Sequence, residues 1–410
     1  MTQRRIVVVG ASLAGLRAAE GARAAGWGEE LVLVGDEPHL PYNRPPLSKE
    51  ALAAGVAHAA LAFRRRKTMD DAVWRLGQPA VSSSLAERTV TLADGTPIGW
   101  DGLVIATGLR VRRLTEQVAA GVAAAGAGRH ALRTLEDAAA LRADLRPEAR
   151  VVVLGAGFIG CEVAATAIGL GCRVTVVAPE QVPMQRPLGA EVGAALQRWH
   201  QQHGVEFRLG RLPAALSAGA DGRVTGVRLD DGTGLPADVV IEALGCLPNV
   251  EWLAGNGLDL TDGVLTDDAM RVCVDGGSRP DVVAVGDLAR FPNALYGAAA
   301  RRVEHWNIPT ETGKRAGPSL VAGLNGQPAP AGPFAPMPAF WSDQYDLRLQ
   351  SFGALAGAER IRLLDGDLDG EFVAGYYTAD RLTGVAGVGL MPTLIRLRAE
   401  IQETPPWRRR

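Results

Sequence analysis

The sequence predicts an α/β protein with two duplicated strand–turn–helix units, followed by a small α+β domain at the C-terminal end. The duplication is indicated by two glycine-rich turns, at Gly10–Gly15 and Gly155–Gly160, each placed between a short apolar run and an Ala-rich segment typical of a helix. The third domain is indicated by alternating β-type sequence after residue 338. With 410 residues, the chain is too long for one ordinary core, so we expect two or three domains.

Both glycine turns have the spacing of a Rossmann-like dinucleotide-binding site. The first glycine permits a tight turn, and the last lets the helix pack closely on the strand. Backbone amides at the helix N-terminus then face the pyrophosphate. Ser12 occupies the middle glycine position of the first turn, where a small side chain is tolerated if it points away. The phosphate-binding candidates are Gly10, Ser12, Gly15, Gly155, Gly157, Phe158, Ile159 and Gly160. Two such turns predict two dinucleotides and electron transfer between them.

The first unit continues with a helix from about Leu13 to Ala25 and a strand from Glu30 to Val34. An acidic residue about 20 residues beyond the glycines is placed to accept hydrogen bonds from ribose hydroxyls. Asp36 is the first candidate for this role and Glu37 the second.

Two further apolar strands end in glycine, at Leu103–Gly108 and Val239–Gly245, and each follows its own glycine turn. A third strand, Asp281–Asp287, delivers a carboxylate at its C-terminal end. Ligands of open α/β sheets bind at that end of the strands. The strand ends therefore add Ala106, Thr107, Gly108, Gly245, Gly286 and Asp287 to the candidate cofactor-binding residues.

The domain boundaries follow from this order of motifs. We expect a discontinuous dinucleotide-binding domain (1–110 and 246–325), a second dinucleotide-binding domain (111–245) and a C-terminal α+β domain (326–410). A Pro-rich connector precedes the last domain, which ends in a helix near 392–402. The stretch 118–128 is low in complexity, and Arg408–Arg410 is expected to be a solvated tail.

The composition excludes several classes of protein. The formal net charge of −2, from 43 basic and 45 acidic residues, gives no bulk attraction to nucleic acid or to an anionic membrane. Because the chain has no run of 18 strongly apolar residues and enters a strand directly after Arg5, we expect a cytoplasmic enzyme. The four cysteines have neither C-x-x-C nor zinc-type spacing, so we expect free structural thiols and no metal site.

The chain resembles the FAD-dependent ferredoxin reductases that serve bacterial oxygenases, the putidaredoxin reductase family. The resemblance covers nearly the whole length and is carried by Gly35–Lys49, Arg133–Ala138, Val283–Asp287 and Phe340–Gln344. It implies the glutathione reductase-like fold of the pyridine nucleotide-disulfide oxidoreductase superfamily. The redox cysteine pair of the disulfide reductases is missing, because the segment from Pro41 to Lys49 contains no cysteine.

The resemblance also implies roles for individual residues. Lys49 and Glu162 correspond to a buried ion pair beside flavin N5, where hydride arrives, and Trp341 to an aromatic near the nicotinamide. As a desolvated pair, the cation tunes the flavin while the carboxylate compensates its charge. The implied FAD contacts are Ala14, Asp36, Arg44, Lys49, Arg133, Asp287 and Trp306, with Val81 as a backbone contact.

One position departs from the family pattern. Where the family has a carboxylate that grips the NAD ribose and repels a 2′-phosphate, this chain has Ala178. Glu180 is the candidate substitute, and no cation follows it immediately to attract NADPH. We therefore expect NADH as the donor, with NADPH less favoured.

These inferences predict an NADH:ferredoxin oxidoreductase, in which hydride reaches FAD N5 and single electrons leave to an iron–sulfur ferredoxin. That ferredoxin feeds a haem-thiolate monooxygenase or a Rieske dioxygenase. Because small ferredoxins are usually acidic, we expect a basic docking patch, in a protein that is a monomer or a weak dimer. The docking candidates are Arg64, Arg65, Arg66, Lys67, Arg301 and Arg302.

Two other functions fit the same scaffold. A rubredoxin reductase differs only in its acceptor, and sequence separates it poorly. A redox-responsive interaction protein, like the apoptosis-inducing flavoproteins, shares the fold. Such a protein normally carries basic targeting segments, and this sequence has none beyond Arg408–Arg410.

Overall fold

A computed structural model describes residues 3–122 and 127–403. Part of the low-complexity stretch and the tail Arg408–Arg410 lie outside these residues. Among the helices of the two described ranges, none combines the length and apolar character that a bilayer crossing requires.

The first segment of the chain builds most of a mixed sheet and a small antiparallel meander. Its strands are β1 (Arg5–Val9), β2 (Glu30–Val34), β3 (Val73–Arg75), β4 (Ala80–Ser84), β5 (Thr89–Leu92), β6 (Pro97–Gly99), β7 (Gly102–Ile105) and β8 (Leu109–Val111). Its helices are α1 (Leu13–Ala24), α2 (Glu50–Ala54) and α3 (His58–Leu61), with 3₁₀ turns at Pro45–Ser48 and Lys67–Met69.

The second segment repeats the pattern. Its strands are β9 (Arg129–His130), β10 (Arg150–Leu154), β11 (Arg173–Ala178), β12 (Glu206–Leu209), β13 (Pro213–Ala218), β14 (Val224–Leu229), β15 (Gly234–Pro236) and β16 (Val239–Glu242). Its helices are α4 (Leu135–Asp144), α5 (Phe158–Gly169), α6 (Gln185–Leu188) and α7 (Ala190–Gln202). The sheet order β12-β11-β10-β16-β9 is parallel throughout.

The chain then returns to the first sheet. The returning elements are β17 (Cys246–Pro248), β18 (Val264–Leu265), β19 (Arg271–Val274), β20 (Gly277–Ala284), β21 (Ala289–Asn293), β22 (Gly297–Arg301) and α8 (Ile308–Leu324), with 3₁₀ turns at Glu251–Leu253 and Gly286–Leu288. They complete a six-stranded sheet of order β19-β20-β7-β1-β2-β3. Where the chain leaves and re-enters this unit, β8 and β17 pair antiparallel.

Burial explains the sequence of the first sheet. Ile6, Val7 and Val8 in β1 are all fully buried, because elements cover both faces of this central strand. On one face, α1 and α8 pack so closely that a Cβ on Gly317 would lie 2.5 Å from the carbonyl oxygen of Ala18. The long apolar runs are therefore parallel strands of a two-sided core.

The C-terminal segment forms a separate antiparallel sheet. It contains β23 (Ala339–Gln344), β24 (Leu347–Gly353), β25 (Arg360–Gly366), β26 (Phe372–Thr378), β27 (Arg381–Val388) and α9 (Met391–Glu403). The sheet, of order β23-β24-β27-β26-β25, packs on α5, α6 and α7 of the second unit. Tyr376 is fully buried there, and its hydroxyl donates to the carbonyl of Leu188 at 2.9 Å. This packing brings β23 onto the helix that carries Glu162. The α/β class and the small C-terminal domain predicted from the sequence are confirmed.

Candidate functional site

The two glycine turns are structurally equivalent. Gly10 and Gly155 have φ angles of +118° and +111°, in the region that favours glycine. A Cβ on Gly10 would lie 2.0 Å from the carbonyl oxygen of Ala106, and one on Gly155 would lie 2.2 Å from that of Ala243. Each turn therefore leaves a shallow backbone cradle at the N-terminus of its helix, which suits an anionic pyrophosphate.

The closing glycine of each turn is equally constrained. A Cβ on Gly15 would lie 2.0 Å from the Gly10 carbonyl oxygen, and one on Gly160 would lie 2.1 Å from that of Gly155. Ser12 is the N-cap residue of α1, and its hydroxyl makes no capping bond to the helix. The serine thus leaves the first-turn amides of α1 open to a ligand.

Distant segments of the chain lie beside the first cradle, and together they form the candidate first pocket. A Cβ on Gly286 would lie 2.8 Å from the Cβ of Ala14, and one on Gly108 would lie 3.7 Å from an Arg133 guanidinium nitrogen. Beside Gly108, the Thr107 hydroxyl donates to the Asn249 carbonyl at 2.6 Å and so fixes the end of β7. The strand ends and Arg133 therefore meet around one space.

Asp287 supplies the carboxylate of this pocket. The preceding turn is anchored because the Gly286 amide donates to the Thr312 hydroxyl of α8 at 2.9 Å. Burial raises the pKa of Asp287 to about 6, against the opposing effect of the Arg133 guanidinium. No side chain of the described residues hydrogen-bonds this carboxylate. Its unused acceptor atoms fit the hydroxyl groups of a flavin dinucleotide.

The two ribose candidates of the first unit have different surroundings. Glu37 forms an ion pair with Arg44 and accepts the Tyr42 hydroxyl at 2.5 Å. Arg44 also donates to the Arg133 carbonyl at 2.7 Å. Through its contacts with Arg44 and Tyr42, Glu37 therefore stabilises this loop. Asp36 is exposed and has no bond to a side chain within the described ranges. Of the two, Asp36 has the free carboxylate that ribose recognition requires.

Two further FAD candidates, Trp306 and Val81, are exposed at the surface. Trp306 is 39% exposed, and its indole nitrogen donates to the Asn43 side chain at 3.1 Å. Val81, on β4, is 53% exposed. Trp306 also meets Trp341 edge-to-face, with ring centroids 5.2 Å apart. The two predicted tryptophans therefore form one aromatic pair between the first unit and β23.

Lys49 and Glu162 form a partly desolvated ion pair between the two units. Lys49 Nζ lies 2.7 Å from Glu162 Oε2, and the side chains are 12% and 7% exposed. Lys49 follows the 3₁₀ turn Pro45–Ser48, which α5 holds because the Thr166 hydroxyl donates to the Ser48 carbonyl at 2.7 Å. The second bond of Lys49 Nζ, 3.0 Å to the Pro45 carbonyl, fixes the ammonium further.

Glu162 also accepts two hydroxyl donors that sequence reasoning did not identify. Ser48 donates to Oε2 at 2.5 Å, and Ser342 of β23 donates to Oε1 at 2.7 Å. Ser342 lies inside the motif Phe340–Gln344, but the motif does not show which of its side chains reaches the ion pair. With these donors and Lys49, the carboxylate is compensated in a buried place.

The second glycine turn opens towards the same region. Gly157 is the N-cap of α5, and a Cβ there would meet nothing within 4 Å. Phe158 packs against Phe340 with ring centroids 4.6 Å apart, and Ile159 is 37% exposed. Gly245, the last residue of the segment Val239–Gly245, has a φ angle of +86°. Its carbonyl oxygen accepts the Arg112 amide at 2.8 Å.

The ribose end of the second unit contains an arginine that sequence reasoning did not identify. Glu180 Oε1 lies 3.0 Å from Arg186 Nε, and these side chains are 24% and 84% exposed. A cavity of about 370 Å³ is lined by Pro179, Glu180, Gln181, Gln185 and Arg186. As predicted, no cation directly follows Glu180 in the sequence. Arg186, six residues later in α6, nevertheless lies beside Glu180 in the structure. The carboxylate at this end is therefore neutralised by a flexible cation.

The basic docking candidates differ in their exposure and in their contacts with neighbouring side chains. Arg64 is exposed, Arg65 lies over the Trp74 ring at 5.5 Å, and Arg66 lies 3.8 Å from Glu20. Lys67 and Arg301 are exposed.

Arg302 differs from the expectation of an exposed docking cation. Its side chain is only 13% exposed and forms ion pairs with Asp262 and Glu304. It also donates to the Asp287 carbonyl at 2.9 Å. Arg302 is therefore a mostly buried cation beside Asp287, and its charge is balanced by Asp262 and Glu304.

All four cysteines are free. Burial, together with the neighbouring Glu162 charge, raises the pKa of Cys161 to about 12. Burial also raises the pKa of Cys246. Neither thiol is therefore poised as a thiolate at neutral pH.

Known proteins share both parts of this architecture. The family described as pyridine nucleotide-disulphide oxidoreductase matches residues 4–313, and the reductase C-terminal family matches residues 339–408. The ferredoxin–NAD(+) reductase component of the anthranilate 1,2-dioxygenase system of Burkholderia cepacia is 37% identical over 400 residues, which cover 95% of this chain and 92% of the relative. The rubredoxin-NAD(+) reductase of Ectopseudomonas oleovorans is 32% identical over 387 residues, covering 94% and 96%.

The solved structures give the same result. The crystal structure of the covalent putidaredoxin reductase–putidaredoxin complex superposes with a TM-score of 0.87 at 32% identity, covering 98% of this chain and 93% of that chain. Two glycine cradles, an ion pair between them and a C-terminal sheet packed on the second unit are thus found in a chain that matches both family descriptions. This chain belongs to the pyridine nucleotide-disulphide oxidoreductase family.

Proposed function

We propose that this protein is an NADH-dependent ferredoxin reductase that passes electrons through FAD to an iron–sulfur ferredoxin of an oxygenase system. The observation that carries the proposal is the Lys49–Glu162 ion pair, which joins the loop after the first glycine cradle to the helix that starts at the second. Relatives named as reductase components of dioxygenase systems support the same assignment.

In this proposal, each unit of the fold has its own ligand. Residues 1–110 and 246–325 bind FAD, residues 111–245 bind NADH, and residues 326–410 cover the space between them. FAD, when bound, supplies the chemistry that turns a two-electron hydride donor into a source of single electrons. The protein contributes alignment of the two rings and exclusion of water.

The side chains around the first cradle divide this work. Asp36 accepts ribose hydroxyls, Asp287 accepts hydroxyls of the flavin chain, and Arg133 compensates the Asp287 charge. Lys49 holds a positive charge beside the reacting ring, and Glu162 balances it. The Trp306–Trp341 pair limits access of water from the side of β23.

NADH is the proposed donor because Glu180 offers a carboxylate to the adenine ribose. A carboxylate there accepts the 2′-hydroxyl and repels a 2′-phosphate. The Arg186 ion pair weakens this discrimination, so we expect a moderate preference for NADH rather than exclusion of NADPH.

The experiment begins with purified protein reconstituted with FAD. Anaerobic mixing with NADH should bleach the flavin absorbance, and the reduced protein should then reduce a [2Fe–2S] ferredoxin in one-electron steps. Protein that stays colourless after addition of FAD, or bound flavin that NADH does not bleach, would contradict the proposal.

A rubredoxin reductase is the second candidate, because the rubredoxin-NAD(+) reductase relative spans almost the same length. The two functions share the first half-reaction and differ in the acceptor. Comparison of kcat/KM for a [2Fe–2S] ferredoxin and a rubredoxin, with ferricyanide as an acceptor that needs no docking, separates them. A higher value for rubredoxin would select the second candidate.

A further inference from the structure

A chain of hydrogen bonds leads from Glu162 through β23 to α7. Ser342 Oγ donates to Glu162 Oε1 at 2.7 Å, and Gln344 Nε2 donates to Ser342 Oγ at 2.9 Å. His200 Nε2 lies 2.7 Å from Gln344 Oε1. Ser342 and His200 are fully buried, and Gln344 is 1% exposed. The ion pair is thus joined to a buried polar network outside the cofactor cradles.

The network has one direction. Since the Gln344 amide nitrogen donates to Ser342, its oxygen accepts from His200, which places the imidazole proton on Nε2. Burial lowers the pKa of His200 to about 4, so the ring is neutral at physiological pH and its Nδ1 is an acceptor. The Tyr345 hydroxyl lies 3.3 Å from Nδ1 and fills this position. Every donor therefore points towards Glu162.

Such a chain has a physical consequence for the carboxylate. Glu162 Oε2 already serves Lys49 and Ser48, so Ser342 is the donor that restrains Oε1. A carboxylate restrained at both oxygens keeps its orientation towards the ammonium. In a buried network, aligned dipoles also strengthen one another, and each unsatisfied member is costly.

We propose that Ser342, Gln344 and His200 are positioning residues that hold the Glu162 carboxylate, and through it Lys49, in the geometry that hydride transfer requires. The proposal rests on the proposed function, because it concerns the ion pair of that same site. Packing of the C-terminal sheet is thereby coupled to the rate of flavin reduction, although none of the three residues contacts the glycine cradles.

A matched pair of serines tests the proposal. Ser342→Ala removes the hydroxyl that donates to Glu162. Ser351→Ala removes a fully buried hydroxyl of the adjacent strand β24, and this hydroxyl has no hydrogen-bond partner among the residues that the structure describes. Both variants are loaded with FAD, and the limiting rate of flavin reduction at saturating NADH is measured by anaerobic stopped-flow, per bound flavin.

We expect Ser342→Ala to lower the limiting rate about tenfold, the size of losing one hydrogen bond to a charged group, with little change in the NADH concentration at half-saturation. Ser351→Ala should change the rate less than about twofold. A merely structural role would instead lower flavin occupancy or melting temperature and leave the rate per bound flavin unchanged.

The next residue of the hydrogen-bonded network is tested with Gln344→Met. This substitution keeps the length of the side chain and removes its amide. If Gln344 acts through Ser342, flavin reduction in the double variant Ser342→Ala/Gln344→Met should be no slower than in Ser342→Ala alone. Additive effects of the two substitutions, or equal rates for Ser342→Ala and Ser351→Ala, would overturn the proposal.

The two proposals fail in different ways. Lys49→Met is measured in the same experiment. If Lys49→Met slows flavin reduction but Ser342→Ala does not, the positioning network is rejected and the proposed function stands. If NADH does not bleach the wild-type flavin, the proposed function itself is rejected.

Discussion

Lys49 Nζ and Glu162 Oε2 lie 2.7 Å apart, although 113 residues separate them in the chain. The contact joins the residue after the 3₁₀ turn Pro45–Ser48 to α5, the helix that begins at the second glycine turn. It makes the relative position of the two units depend on a desolvated pair of charges, which is the basis of the first prediction.

Removal of one partner should cost much more than removal of both. Lys49→Met leaves the Glu162 carboxylate buried and uncompensated, which should lower the free energy of unfolding by about 3–5 kcal/mol. Adding Glu162→Gln should recover part of the loss. Denaturant unfolding of the apoproteins measures both. As a control, Arg150→Met breaks the exposed ion pair with Asp238, for which we expect about 0–1 kcal/mol.

The Asp287 carboxylate should lower the stability of the apoprotein at neutral pH and strengthen the binding of FAD. Because burial raises its pKa in the fold to about 6, the contribution of this carboxyl to stability is present at low pH and is lost as the pH rises through about 6. Asp287→Asn should therefore make the apoprotein more stable than wild type at pH 7 but not at pH 4, and should weaken FAD binding. Unfolding at both pH values and FAD titration measure this.

The control for that prediction is Asp230→Asn, which removes an exposed carboxylate. It should leave FAD affinity unchanged. Equal FAD affinity of Asp287→Asn and wild type would show that the carboxylate does not bind the flavin chain.

The Glu180–Arg186 pair should set the preference between NADH and NADPH. Glu180→Gln removes both the ribose acceptor and the charge that repels a 2′-phosphate, so the ratio of kcat/KM for NADH to that for NADPH should fall about tenfold. Arg186→Ala frees the carboxylate and should raise the ratio. Arg150→Ala, at the far end of β10, should leave it unchanged, and an unchanged ratio in both site variants would reject this role.

Ferredoxin docking should depend on the exposed cations. Arg64→Glu combined with Lys67→Glu should slow ferredoxin reduction and flatten its decrease with ionic strength, while NADH-to-ferricyanide activity stays constant. Arg302→Met should instead weaken FAD binding, because this guanidinium donates to the Asp287 backbone. Ferredoxin kinetics that do not change with salt in the wild-type protein would contradict electrostatic docking.

The predicted fold follows from features that are local in sequence. The apolar run Ile6–Val9 and the glycines after it specify a buried parallel strand and a tight turn, because the residues concerned are neighbours in the chain. The same holds for Val151–Leu154 and Gly155. The alternating β-type sequence Leu347–Phe352 likewise predicts a strand, and in the structure alternate residues of this strand are buried.

The site was predictable only in part. The sequence favours Asp36 over Glu37 as the ribose ligand, and the structure adds a physical distinction because Arg44 and Tyr42 engage Glu37. From the sequence, Arg302 is expected to be exposed beside Arg301, but in the structure Asp262 and Glu304 neutralise its charge. Asp262 lies 40 residues from Arg302 in the chain. Tyr42, Arg44 and Glu304 are close in sequence to the residues that they engage, but the sequence does not show that these side chains meet.

The duplicated nucleotide-binding units, the C-terminal domain and the residue types at each cradle can be read from the sequence, because steric and hydrophobic constraints on strands and tight turns act over a few residues. Tertiary structure alone decided that Ser342 reaches Glu162 across 180 residues and that Arg186 returns to Glu180. The physical reason is that the balance of buried charges depends on which elements pack together, and this packing is a property of the whole fold.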